Sequence, residues 1–264
     1  MTETATTLSD TSTWLPLDGL APGFDESKAP TVDDLNGLEL VLDGEDGSAR
    51  RVEFTGANRV EWDGAADECE TFLVDDDLYY TQFHPAARPD EAVSLFLDRR
   101  DGRALIVTTA IGESGTPRVT QRFVTATIRD AAVRGAAAAP TTALIGRRAM
   151  WVYSADHAYE HVYLSPHWYS WQCLAGPEKG LADTDENSAY QLRPGVYVFT
   201  WREKVIPCAA VTVADHRDVR NLRSHGVLFG LDETGRTPTH FTFGANGRLL
   251  SNTVHPEQYD PARG

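Results

Sequence analysis

Residues 77–112, DLYYTQFHPAARPDEAVSLFLDRRDGRALIVTTAIG, align without a gap with residues 195–230, GVYVFTWREKVIPCAAVTVADHRDVRNLRSHGVLFG. Tyr79 meets Tyr197, Phe83 meets Trp201, Val93 meets Val211, Arg99 meets Arg217 and Gly112 meets Gly230. Upstream, Leu35 to Trp62 aligns in the same way with Leu144 to Trp171. The offset is 109 in that block and 118 in the later one, so the second half carries nine extra residues between Trp171 and Gly195. Two gapless blocks in one order predict two units of like topology. Within them, short runs rich in β-branched and aromatic residues alternate with Gly, Pro and Asp turns. Leu38 to Leu42, Val60 to Trp62, Ala104 to Thr109 and Val196 to Trp201 are examples. This rhythm predicts about eight short strands per unit, as in a barrel or sandwich, and closure would remove exposed edges.

The expected organisation is a disordered tail over 1–13, a first barrel over 14–130, a linker over 131–143, a second barrel over 144–255 and a tail over 256–264. Residues 14–34, with Pro16, Gly19, Pro22, Gly23 and Pro30, read as an extended lead-in. The Ala-rich run ending RGAAAAP reads as a connector with one short helix stopped at Pro140.

The chain has 264 residues, 41% of them hydrophobic, enough for a substantial core. Its net charge of -15 lies wholly in residues 1–130, with 26 acidic and 11 basic side chains; residues 131–264 have 13 of each. Such a surface repels phosphates, so nucleic acid is not an expected partner. No run of 18 apolar residues exists, so no membrane span is expected. The N-terminal MTETATTLSDTSTW lacks the pattern of a signal peptide. Cys69, Cys173 and Cys208 are odd in number and widely spaced, which fits a reducing, cytoplasmic setting and inert thiols. No clustered Cys/His spacing, GxSxG, GxGxxG or P-loop pattern occurs, so neither metal nor organic cofactor is expected. A small-molecule ligand and a homo-oligomer are both compatible with the composition.

The halves differ where a ligand could sit. Leu42 and Gly44 become Trp151 and Tyr153, Arg50 and Val52 become Tyr159 and His161, and Pro85 becomes Glu203. The second barrel is therefore the expected site. Tyr159, His161 and Tyr163 share one strand face, and Trp151 and Tyr153 share another. His161 could serve as acid or base, or the rings could form an ordinary aromatic layer. Glu203 lies two residues beyond Trp201 on the same face. It is either a desolvated acid for proton transfer or an edge carboxylate paired with Arg202 or Lys204. Arg223 and His225 form either a carboxylate clamp or a hairpin surface. The inserted CLAGPEKGLADTDEN is a loop that could cover a barrel mouth.

YEHVY (159–163), WQCLAGPEKGLADTD (171–185), YVFTWREK (197–204) and HGVLFG (225–230) resemble the C-terminal domain of the MoaF family. The first half resembles that family's N-terminal domain, and together the resemblance covers about residues 14–255. GVYVFTWRE and RSHGVLFG are more distantly similar to the phenolic acid decarboxylases, which are calycin barrels. There a Glu at the end of this strand protonates the substrate alkene, and two Tyr with an Arg hold its carboxylate. Glu203 matches that Glu and Tyr153 one Tyr, Trp151 replaces the other, and in the inserted loop Lys179 is the cation. The resemblance implies two tandem calycin (lipocalin-like) antiparallel barrels from an internal duplication. It also implies a ligand-facing acid that needs no cofactor. The expected function is proton-transfer chemistry of the lyase, isomerase, decarboxylase or cyclase type. Glu203, His161 and Tyr153 would be catalytic. Trp151, Tyr159, Tyr163, Trp171, Lys179, Trp201, Arg223 and His225 would bind an aromatic or unsaturated substrate. The alternatives are a lipocalin-like binding protein and an assembly scaffold that offers the acidic half to a partner.

Overall fold

The computed structural model describes residues 10–263. The first barrel runs through β1 (Glu39–Gly44), β2 (Ala49–Gly56), β3 (Arg59–Trp62), β4 (Ala65–Asp75), β5 (Leu78–Phe83), β6 (Glu91–Asp98), β7 (Arg103–Ile111) and β8 (Val119–Ile128). Each strand pairs antiparallel with the next, and β1 closes on β8. The second barrel is formed by β10 (Arg147–Val152), β11 (Ala158–Tyr163), β12 (Trp168–Ala175), β13 (Ala182–Arg193), β14 (Val196–Arg202), β15 (Cys208–Asp215), β16 (Leu222–Leu231) and β17 (Pro238–Asn252). Its strand order is again that of a meander, closed by β10 on β17. The fold is thus two closed eight-stranded antiparallel barrels in tandem. The one α-helix among the described residues is α1 (Leu17–Leu20), and no described helix is long and apolar enough to cross a membrane.

The Ala-rich connector contains no helix. Its end, Ala139–Pro140 (β9), pairs instead with Tyr190 and Gln191 on β13. A run of Ala has the propensity for a helix, but a segment this short lacks the length to sustain one without a packed face. At the chain ends, residues 1–9 and 264 lie outside the described residues, while Thr11–Thr13, Glu257–Tyr259 and Pro261–Arg263 form single 3-10 turns.

The repeat contains a register shift that the gapless alignment hides. Phe83 pairs with Val93, whereas its counterpart Trp201 pairs with Ala210. Val93 therefore corresponds to Ala210, and Val211 sits one place over, on the opposite face. A one-residue slip exchanges inside for outside along a whole strand. In the first barrel Val93, Leu95 and Leu97 of β6 fill the interior. In the second, β15 presents Cys208, Ala210 and Ala214 inward, and Val211 and Val213 outward. The small inward residues leave the volume that the large rings of the other strands occupy.

The outward valines have a purpose in packing. Val196, Val198, Val211, Val213 and Val227 of the second barrel meet Phe72, Leu78, Tyr80, Phe96 and Leu105 of the first in one buried layer. Phe123 stacks on Tyr190 at 4.6 Å between ring centroids. Arg193 at the end of β13 crosses the same junction. It bonds Asp98 with two parallel N–H···O contacts of 2.8 Å, and Asp75 at 2.7 Å.

Candidate functional site

Strand alternation sets which side chains enter the second barrel. On β14 the inward set is Tyr197, Phe199 and Trp201, with Glu203 just past the strand end. On β11 it is Tyr159, His161 and Tyr163, and on β12 Tyr169, Trp171 and Cys173. The upper half of this interior is a cavity of about 470 Å³, counting its open mouth. It is lined by Leu20, Phe24, Tyr153, Tyr159, His161, Tyr169, Trp171, Glu178, Trp201, Glu203, Leu228 and Phe243. The walls stand close, so only a small part of that space would hold a water-sized molecule. Below it, Trp151, Tyr163 and Phe199 pack nearly solid around His161.

Glu203 is paired with neither of its neighbours. Arg202 reaches Gln121 at 3.0 Å and Glu186 at 3.7 Å, and Lys204 reaches Asp183 at 2.9 Å. The Glu203 carboxylate instead accepts a hydrogen bond from Trp201 Nε1 at 3.2 Å. Burial, reinforced by the negative charge of Asp185, pushes its pKa up to about 8. Asp185 accepts from Trp171 Nε1 at 2.9 Å and from the Lys204 backbone N–H at 3.2 Å, and burial raises it too. Glu178 accepts from the Tyr159 hydroxyl at 2.9 Å, its Oε1 has no partner, and burial raises its pKa. Burial has the opposite sign for a base: His161, among rings on every side, is pushed down to about 3 and is neutral, with Nδ1 unpartnered. At neutral pH the cavity thus presents a protonated acid, Glu203, beside a neutral imidazole and a ring of aromatic faces.

The structure brings Glu203, His161, Tyr153, Tyr159, Trp171 and Trp201 around one cavity, with Trp151 and Tyr163 on the floor beneath it. It separates the remaining three. Lys179 is exposed, and Glu178, the preceding residue in the same insertion, turns inward in its place. Arg223 lies on the outer face of β16, where it bonds Asn246. His225 is on that face too, buried in the junction between barrels. It stacks on Phe72 and accepts a hydrogen bond from the Ala29 N–H at 3.0 Å. The insertion forms the turn between β12 and β13, which places Glu178 at the cavity wall.

Residues 14–29, an extended lead-in by sequence, form a strap across the second barrel. Leu17, Leu20 and Phe24 are buried in its aromatic core. Phe24 packs on Tyr153 at 4.7 Å and Trp14 edges onto Trp171 at 5.7 Å. Farther on, the Ser27 N–H donates to the Tyr153 carbonyl at 3.1 Å. The strap can lie this close because position 244 is glycine: a Cβ there would stand 2.5 Å from both the Ser27 oxygen and the Lys28 Cα. Gly244→Ala is therefore expected to lift the strap and speed tryptic cleavage after Lys28 severalfold. Digestion at the wild-type rate would show that the crossing does not hold the strap. Leu17, Leu20 and Phe24 were the signal for this contact in the sequence, since a solvated lead-in has no need of apolar residues one helical turn apart.

These features define a class: a tandem β-barrel protein in which the second barrel carries an aromatic, acid-lined chamber under a strap from the N-terminal segment. Residues 12–113 match the MoaF N-terminal domain and residues 138–253 the MoaF C-terminal domain, and the chain belongs to the MoaF family. It is also 40% identical over 118 residues to Protein MoaF of Klebsiella aerogenes, a match that spans 44% of this chain and 44% of that protein.

Proposed function

We propose that the second barrel is the chamber of a small-molecule enzyme in which Glu203 transfers a proton without a metal or organic cofactor. The observation that carries the reading is Glu203 itself, unpaired with any cation, desolvated, and aimed into an aromatic cavity. Because its pKa sits near 8, most of the group is protonated at pH 7, so it can donate a proton to substrate and recover it from product. Tyr153 and Tyr159, both held far from ionisation by burial, would orient substrate through their hydroxyls. Neutral His161 would accept or donate one hydrogen bond from below. Reactions that need only this are eliminations, isomerisations, decarboxylations and cyclisations of an aromatic or unsaturated metabolite.

Glu203→Gln keeps the shape and the hydrogen bond from Trp201 but removes the transferable proton. Native mass spectrometry of this variant, isolated from its own host cells, is expected to show a retained small molecule. Wild-type protein is expected to convert that molecule at a rate about 10²–10⁴ times faster than the variant. The same molecule held unaltered by both proteins would establish a binding protein instead.

A further inference from the structure

The cavity contains acids and aromatic faces, and among its lining residues there is no Lys or Arg. The nearby cations are engaged elsewhere. Lys204 bonds Asp183 and the Thr184 carbonyl, and Arg147 lies at the opposite end of β10 from Tyr153, against His216 and the Tyr197 ring. Of the acids, Asp185 is answered by Trp171 and Lys204, whereas Glu178 and Glu203 face the cavity with no cation paired to them among the described residues. Glu178 is only 5% exposed, and its Oε1 is an unpartnered acceptor. A carboxylate oxygen buried without a donor is costly, so a donor brought against it by a ligand would be favoured. Trp171, Trp201, Tyr159 and Tyr169 line the cavity beside it. Indole and phenol rings attract an organic cation and do nothing comparable for an anion.

We propose that this chamber takes an organic amine in its ammonium form, on an aromatic or unsaturated skeleton, with the ammonium between Glu178 and Glu203 and the skeleton against Trp171 and Trp201. This deepens the reading of the chamber as the functional site, and it reverses the sign of the ligand expected from Lys179 and Arg223. The ammonium supplies the donor that Glu178 Oε1 lacks and stabilises the ionised form of Glu203. Around Glu203 the other titratable groups are Asp185, Glu178, Cys208, Tyr169 and His161. None of them is a cation at neutral pH, so nothing in the chamber replaces the ligand's charge. Ammonium binding is then coupled to proton release from Glu203, so with an amine substrate Glu203 first takes a proton from the skeleton and then returns it, the reverse of the order for a neutral substrate, and affinity rises with pH up to about 8.

Titrations of the full chain, followed by tryptophan fluorescence, should use 2-phenylethyltrimethylammonium, 2-phenylethylammonium, 2-phenylethanol and 3-phenylpropionate. Both cations are expected to bind at least tenfold tighter than the alcohol, and the carboxylate weakest. The permanently charged cation is expected to gain affinity between pH 6 and 8, since only the protein titrates there. Glu178→Gln is expected to weaken the cations about tenfold and leave the alcohol unchanged, which a variant merely misfolded would not do. Preference for the alcohol or carboxylate, or no cation binding at millimolar concentration, would overturn the amine assignment but would leave Glu203 as a proton donor. Cation binding together with full turnover by Glu203→Gln would do the reverse.

Discussion

Replacing Arg193 by Ala is expected to lower the free energy of unfolding by about 3–5 kcal/mol, because it strands a buried carboxylate. The Arg193 side chain is 4% exposed and that of Asp98, its bidentate partner, 11%. Asp75 keeps a second cation, Arg217 at 3.1 Å, and Asp98 keeps only the Asp101 N–H at 3.0 Å. The loss also removes the bond from Arg193 to the Asp76 carbonyl, so one substitution cuts the polar link from β13 to the turns of the first barrel. The apolar layer beside it, from Phe72 to Val227, remains. Denaturation of Arg193→Ala in guanidinium should therefore show a lower midpoint and a transition that begins to split between the barrels. The paired replacement Arg193→Met with Asp98→Leu should recover most of the loss, since it removes the stranded charge and fills the space. A single variant within about 1 kcal/mol of wild type would mean that Asp98 finds solvent, and that the clamp contributes little.

The duplication, the closed barrels and the inward face of β11 and β14 were all legible in the sequence, for one physical reason. Where large rings recur at every second position, period-two alternation states the register, even on β14 with Val196 and Val198 buried on its outer face, and Tyr159, His161, Trp201 and Glu203 follow from it. The errors fall where both faces are buried and neither carries such a run of rings. On β16 and β15 the outer face packs on the other barrel, so His225 and Val211 sit among apolar neighbours whichever way they point. Alternation then carries no sign, and His225 reads as easily into the cavity as away from it. Glu178 was missed for a different reason. In a turn no periodicity exists, and Glu178 and Lys179 differ only in which one the β12–β13 turn rotates inward. The strap was hidden because its partner strands begin more than 100 residues later; lead-in composition reports chain flexibility, and says nothing of a surface it could cover.

The stability of the wild-type protein relative to Glu203→Gln is expected to fall by roughly 2 kcal/mol between pH 6.5 and about 8. The sign follows from the direction of the shift. Glu203 holds its proton up to about pH 8 in the folded chain and releases it near the ordinary carboxylate value when unfolded. Across that interval the folded state binds more protons, so raising the pH favours unfolding, by at most about 1.4 kcal/mol per unit for one group. The buried histidines act in the opposite sense and lower down. His84, His161 and His216 are pushed to about 3 and His225 to about 4, each chiefly by burial. The unfolded chain protonates them with a midpoint near 6.5, so stability rises with pH through that point and goes on rising until the last of those protons leaves about one unit higher; this rise is common to both proteins and cancels in their difference. The difference between the two proteins from 6.5 to 8 is thus left to Glu203, while Glu178 and Asp185, raised in the same direction, are present in both. Thermal melts of the two proteins at pH 6.5, 7.25 and 8 would separate the contributions. A difference in melting temperature between the two proteins that stays constant over this range would mean that Glu203 is already ionised at neutrality, and a proton donor at that position would then be ruled out. A fall that survives in Glu203→Gln would move the titrating group to Glu178 or Asp185, and with it the acid of the chamber.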